Sequence, residues 1–363
     1  MKLLCIAGAR PNFMKIAPIL RAIKKYPQIH SKLIHTGQHY DAIMSDIFFK
    51  ELQIPDPDIH LGVGGGSHAQ QTAELMLKFD PILEQEKPDF ILVVGDVNST
   101  MACSITASKR NIPVIHVEAG LRSFDRTMPE EINRLVTDAI SDYLFTTEPA
   151  ANENLIKEGK NKNQIFYAGN VMIDSLIFAL PQITSSDILK RLHLNEKEFA
   201  LVTLHRPANV DTENNLSEMI ELLEFIGEYT KVVFPVHPRT KTKLSQYGLD
   251  QKIRLNKQIL LIDPLGYFDF IALMRSALVA VTDSGGVQEE TTFLGVPCLT
   301  MRANTERPVT IDVGTNTLVG QNRDLLKSCM DAISRGGYKK GSIPELWDGH
   351  AAERIAAKFK DFA

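Results

Sequence analysis

Short apolar runs alternate along this chain with longer stretches whose apolar residues recur at helical spacing. Residues 3–7 (LLCIA), 90–94 (FILVV), 114–117 (VIHV) and 143–146 (YLFT) are four or five residues long. Runs this short and this apolar predict strands buried on both faces of a parallel sheet. Helical patterns lie between them, for example over 17–26 and 100–110. The rhythm restarts at 199–204, 231–236, 259–262, 278–282 and 297–300. Two such series predict an α/β protein of two Rossmann-like doubly wound domains with a cleft between them. Gly169, Pro181 and Ser185-Ser186 punctuate the chain near its middle, which places a boundary there. The expected division is an N-terminal domain over 1–170, a C-terminal domain over 171–345 and a last segment over 346–363. Within that segment 347–359 reads as an amphipathic helix packing back on the first domain.

Composition narrows the picture. With 363 residues, 44% of them hydrophobic and 23% charged, the chain supports two sizeable cores. A net charge of -4 argues against bulk attraction to nucleic acid or an anionic membrane. A phosphorylated ligand would then need a local positive site. The apolar run after Met1-Lys2 is too short for a signal peptide, and no stretch approaches a membrane span. Cys5, Cys103, Cys298 and Cys329 form no CxxC pair, so reduced, buried thiols in a cytoplasmic protein are expected.

Polar motifs follow the strands, where open α/β sheets bind ligands. Gly8-Ala9-Arg10-Pro11 offers a tight turn and the start of a helix, with Lys15 one turn on. It is either an anion site or a plain strand-to-helix turn, and it is not the GxGxxG pattern of NAD binding. Thr282-Asp283-Ser284-Gly285-Gly286-Val287-Gln288-Glu289-Glu290 ends an apolar strand in a glycine-rich helix start. Its N–H groups and the Ser284 hydroxyl suit a pyrophosphate, and the Glu290 carboxylate suits ribose hydroxyls. Gly64-Gly65-Gly66-Ser67-His68 reads as a connector before another helix.

Carboxylates recur after the strands of the first half, as Asp96, as Glu118 and as the Glu130-Glu131 pair. Several in one domain point to acid/base work. His116 and Glu118 at i, i+2 would share a strand face, but no second ligand pair completes a metal set. In the second half Leu204-His205-Arg206, Val236-His237-Pro238-Arg239 and Thr305-Glu306-Arg307-Pro308 supply the local positive charge.

Taken in order, these residues resemble the non-hydrolysing UDP-N-acetylglucosamine 2-epimerases over nearly the whole chain. The motifs that carry the resemblance also include His35-Thr36-Gly37-Gln38-His39-Tyr40-Asp41 and His116-Val117-Glu118-Ala119-Gly120-Leu121-Arg122. The resemblance implies a glycosyltransferase-B architecture, a homodimer, no metal and no redox cofactor. It implies C2 epimerisation of UDP-N-acetylglucosamine (UDP-GlcNAc) to UDP-N-acetylmannosamine (UDP-ManNAc) for surface polysaccharide. The route is anti elimination of UDP to 2-acetamidoglucal, then re-addition. On the matching positions Asp96, Glu118, Glu130 and His205 would be catalytic. Arg10, Lys15, Arg134, His237, Phe270, Ser284, Gly285, Gly286, Glu290 and Arg307 would bind the UDP-sugar.

Three stretches depart from the family pattern. Pro207-Ala208 stands where many members carry a basic and an acidic residue for a second, activating UDP-GlcNAc, and His39-Tyr40-Asp41 also differs. Val309-Thr310 replaces a common glutamate. The branch with Thr-Gly-Gln-His-Tyr-Asp includes enzymes for uronic acid and diacetamido sugars, so the sugar stays open. A glycosyltransferase of the same architecture, a hydrolysing epimerase and a nucleotide-sugar sensor remain as other readings.

Overall fold

The structure is a computed structural model that describes residues 1–37 and 49–362. The chain forms two compact units, Met1–Ala179 with Glu345–Ala363, and Leu180–Pro344.

Unit 1 is built on a parallel sheet. Its strands are β1 (Lys2–Ala7), β2 (His30–His35), β3 (Ile59–His60), β4 (Phe90–Val94), β5 (Val114–Val117), β6 (Tyr143–Thr146) and β7 (Ile165–Tyr167). Among the described residues the order is β3-β2-β1-β4-β5-β6-β7. Successive strands run outward from β1 in one direction, then from β4 in the other. The switch point therefore lies between β1 and β4, where such sheets open a crevice at their carboxyl ends. Strand β4 is almost wholly out of solvent, as an apolar run with helices on both sides requires.

Unit 2 repeats the plan. Strands β8 (Phe199–Thr203), β9 (Lys231–Pro235), β10 (Ile259–Ile262), β11 (Val279–Thr282), β12 (Cys298–Thr300) and β13 (Asn316–Leu318) pair in parallel in the order β10-β9-β8-β11-β12-β13. The switch point falls between β8 and β11. One face packs Val202, Phe234 and Val281 against Leu216, Ile220 and Leu223 of the helix Glu213–Gly227.

Three helix boundaries differ from the sequence pattern, each for a local reason. The first helix runs over Arg10–Ile23 and carries Pro18 inside it. Proline at that point reads as a helix start, because it cannot donate to the carbonyl four residues back. Here the Ser175 hydroxyl donates to that carbonyl, Met14 O, at 2.5 Å, so the helix continues through the proline. The second starts at Asn98, two residues early, as Thr100 Oγ1 bonds back to Val94 O. The last spans only Ala351–Lys358, since Gly349 has φ of +85° and turns the chain first. Asp174 then accepts the Ala351 and Ala352 amides at 3.2 and 2.7 Å and fixes the start of that helix. Trp347 is buried beside it, its indole N–H on Thr147 O.

The cysteines are all free and buried. Among the described residues no helix is long and apolar enough to cross a membrane.

Candidate active site

In unit 1 the loops that leave β1, β4 and β5 meet at the switch point. Asn12 ties two of them together: its Oδ1 accepts the Gly8 and Ala9 amides at 3.1 Å, and its Nδ2 donates to Val94 O at 2.8 Å. The chain then turns through Gly95 at φ +68°. A Cβ there would lie 3.0 Å from Lys15 Nζ and 3.3 Å from Glu118 Oε2. Glycine thus both permits the turn and lets this backbone press against a charged pair.

That pair is Lys15 and Glu118, each about 5% exposed and joined as an ion pair. Glu118 sits just past β5 with φ of +74°. A non-glycine residue there costs about 1–3 kcal/mol. It is held by the Phe145 carbonyl, which accepts the amides of both Glu118 and Ala119 at 3.0 Å. Glu118 lies just past the end of β5 at Val117, and its carboxylate and the His116 ring both reach Gly95. His116 is fully buried with its ring nitrogens on Asp138 and on Gly95 O.

Asp96 follows Gly95 and is gripped by Arg134, whose Nε and Nη2 reach Asp96 Oδ2 at 3.0 and 2.7 Å. Arg134 also bonds Glu131 at 2.5 Å. Both come from the helix Pro129–Ile140, where proline and two glutamates fill the first turn and favour the helix start. Glu130 and Glu131 divide sharply. Glu131 is buried and accepts Ser123 N, Ser123 Oγ and Phe124 N. Glu130 is half-buried, and among the described residues no hydrogen bond or ion pair engages it. Arg10 opens the first helix, but its side chain lies outside the described residues, as do residues 39–41 and the side chains of Pro207, Ala208 and Arg239.

In unit 2 the loops after β8 and β11 flank the other switch point. Asp283 spans it: Oδ2 accepts the His205 and Arg206 amides at 3.0 and 2.9 Å and Asn209 Nδ2 at 2.8 Å. Its Oδ1 lies 3.0 Å from His205 Nδ1. Burial works to push the Asp283 carboxyl up, but His205, the Arg206 amide and Asn209 hold it below the usual carboxylate range. His205 is thereby oriented by an ionised carboxylate, and its side chain stays 42% exposed. His237 is exposed, its ring centroid 5.7 Å from that of His205.

Ser284 caps the helix Gly285–Leu294 in extended conformation, with no side-chain bond to the helix start. The first-turn amides at Gly285 and Gly286 thus point out of a ten-residue helix, an arrangement that attracts anions. A Cβ on Gly285 would meet Arg307 Nη1 at 2.5 Å, so glycine also admits the guanidinium. Arg307 is buried and paired with Glu289 at 2.8 Å and Glu306 at 2.5 Å. Arg302 lies nearby on Glu306. Burial lowers the Arg302 pKa; Glu306 opposes this, while the charges of Arg206 and Arg307 lower it further. Glu290 is buried and accepts the Tyr267 hydroxyl at 3.0 Å. Phe270 lies on the same helix as Tyr267, Tyr267–Ser276, half-buried.

The sequence motifs thus assemble into two clusters, one at each switch point. Asp138, Asp283 and Asn12, which organise them, carry no signal in sequence beyond lying in or near a motif. Among the described residues no group of His, Cys, Asp and Glu side chains is arranged to hold a metal ion.

Comparison with known proteins places the chain in one family. The family model described as UDP-N-acetylglucosamine 2-epimerase matches residues 21–360. The UDP-N-acetylglucosamine 2-epimerase of Methanocaldococcus jannaschii is 46% identical over 361 residues, covering 98% of each chain. The UDP-2,3-diacetamido-2,3-dideoxy-D-glucuronate 2-epimerase of Pseudomonas aeruginosa is 40% identical, again over 98% of each. The crystal structure of the M. jannaschii UDP-GlcNAc 2-epimerase in complex with UDP-GlcNAc and UDP superposes with a TM-score of 0.91 at 42% identity, covering all of both chains. With the match running through nearly every residue, the chain belongs to the UDP-N-acetylglucosamine 2-epimerase family.

Proposed function

We propose that this protein interconverts UDP-GlcNAc and UDP-ManNAc by inverting C2 through a glycal. The observation that carries the reading is the Lys15–Glu118 pair pressed against Gly95, beside Asp96 on Arg134. It is an acid/base cluster in a sequence 46% identical to a UDP-GlcNAc 2-epimerase over almost its full length.

The chemistry follows from the residue types. A carboxylate takes the C2 proton, the C2–H electrons form the C1–C2 double bond, and the C1–O electrons leave with UDP. Negative charge then grows on the departing phosphate. The amides of Gly285 and Gly286, the Ser284 hydroxyl and Arg307 are suited to stabilise it. His205, oriented by Asp283, is suited to give a proton to the phosphate oxygen or hold its charge. In the return step a phosphate oxygen attacks C1, and C2 takes a proton on its other face. Asp96, Glu118 and Glu130 are the candidate proton carriers, since inversion calls for a donor on each face. Glu290 is suited to the ribose, Phe270 to the uracil, and Arg134 and His237 to the sugar diphosphate. We further propose that the protein works in the cytoplasm as a homodimer, with no metal or redox cofactor, and supplies surface polysaccharide precursors.

One observation favours a second sugar. The relative that acts on a diacetamido uronate is 40% identical, close behind the 46% of the GlcNAc enzyme. Incubating the purified protein with each UDP-sugar, with no acceptor, and reading the products by proton NMR tests both. UDP-ManNAc from UDP-GlcNAc supports the main reading. Turnover of the diacetamido uronate alone transfers the assignment, and hydrolysis to free sugar contradicts both.

A further inference from the structure

His116 is conspicuous for what surrounds it. It lies on β5, fully buried, in a strand whose other residues are valine and isoleucine. A buried valine would serve that strand as well, whereas a buried imidazole must find partners for two nitrogens. It has both. Nδ1 lies 2.6 Å from Asp138 Oδ1, and Nε2 lies 2.9 Å from the Gly95 carbonyl. Nε2 donates to the Gly95 carbonyl, which can only accept, and Nδ1 faces the Asp138 carboxylate.

Asp138 is itself fully buried on the helix Pro129–Ile140. Its Oδ2 accepts the Gly120 amide at 3.0 Å and pairs with Arg122 Nη1 at 2.7 Å. Arg122 in turn is held by Glu158 through two bonds of 2.8 and 2.6 Å. Burial alone would push the Asp138 carboxyl up, but His116, Arg122 and the Gly120 amide together hold it below the usual range. One carboxylate thus fixes two loops. Through His116 it holds Gly95, the residue before Asp96. Through Gly120 it holds the turn two residues after Glu118.

We propose that His116 is a positioning residue for the proton-transfer carboxylates. Its Nε2–H bond to Gly95 sets Asp96 on Arg134 and keeps the Gly95 backbone against Lys15 and Glu118, while Asp138 orients its ring. This rests on the reading of Asp96 and Glu118 as the acid/base groups. Misplacing a reacting group by about 1 Å can cost about 10²-fold in rate, so the link acts on turnover rather than on nucleotide binding.

Two substitutions separate this role from a merely structural one. In His116→Gln the amide nitrogen reaches the place of Nε2, keeping the Gly95 bond and giving up Asp138. In His116→Asn it reaches the place of Nδ1, keeping Asp138 and giving up Gly95. The Gln variant is expected to keep kcat close to wild type. The Asn variant is expected to lose about 10²-fold in kcat, with KM for the UDP-sugar and Kd for UDP unchanged. Equal losses in both, or wild-type kcat in the Asn variant, overturn the proposal. If the Asn variant does not fold, His116→Gln decides: retained kcat supports the link, and lost kcat overturns it. If the wild-type protein does not epimerise UDP-GlcNAc, the reaction assignment fails and crystal structures still judge the link. The Gly95 carbonyl and the Asp96–Arg134 pair should stay in place with Gln and shift with Asn. An unmoved loop in the Asn variant contradicts the positioning role.

Discussion

Lys15 and Glu118 stand 103 residues apart in sequence and meet as a buried ion pair at the switch point of the first sheet. Their union brings the helix after β1 to the strained turn after β5. Removing one partner of such a pair leaves an unpaired buried charge, which costs about 3–5 kcal/mol. Lys15→Met is therefore expected to lower stability by about that amount, read from denaturant unfolding. It should also abolish most turnover. Replacing both residues, as Lys15→Met with Glu118→Leu, should restore much of the stability and none of the activity. A single variant as stable as wild type would contradict the pairing.

Asp283 makes a comparable demand in the second unit. Asp283→Asn keeps the shape and removes the charge that orients His205. If His205 transfers a proton, kcat should fall about 10²–10⁴-fold. The Kd for UDP should hardly change, because the Gly285 helix start and Arg307 are untouched. Steady-state kinetics paired with calorimetry checks this. A loss confined to KM would assign Asp283 to substrate binding instead.

How much of this was legible beforehand depended on the range of each interaction. The strands and their two series could be read from runs such as 90–94, since apolar burial is recorded in the residues themselves. The glycine-rich helix start after β11 was legible for the same reason: strand, Ser-Gly-Gly and helix are neighbours in sequence. Pro18 misled, because its remedy is a hydroxyl at Ser175, far along the chain. The Glu130-Glu131 motif gave no way to see that Glu131 is consumed by Ser123, Phe124 and Arg134. The spacing of His116 and Glu118 gave no sign of the left-handed turn at Glu118 that ends the strand. Buried organisers such as Asp138 are set by tertiary contacts that no local pattern encodes.

Glu290 is expected to read the ribose. Its carboxylate is already positioned by the Tyr267 hydroxyl. Glu290→Ala should weaken UDP binding by about 1.5–3 kcal/mol and have little effect on 2′,3′-dideoxy-UDP. Calorimetry with both ligands decides, and an equal loss for both would remove the assignment.

The Asp174 carboxyl gives a stability effect with a definite sign. Burial, against the Ala351 and Ala352 amides, raises its pKa from 3.8 to about 6. The folded protein therefore takes up this proton before the unfolded chain does. Stability attributable to the group is gained as pH falls from about 6 towards 3.8, and is absent above 6. Relative to Asp174→Asn, the wild type should gain up to about 2–3 kcal/mol between pH 7.5 and pH 4. Melting curves of the two proteins across that range measure the difference. A difference independent of pH would show that Asp174 titrates normally.

Epimerisation through a glycal requires the C2 hydrogen to leave and a proton from the site to replace it. Running UDP-GlcNAc with the purified protein in D₂O, with no acceptor, and examining C2 by NMR and mass spectrometry tests this directly. The expected result is UDP-ManNAc carrying deuterium at C2, with deuterium also entering the recovered UDP-GlcNAc. UDP-ManNAc that keeps its original C2 hydrogen, or no interconversion at all, would contradict the account.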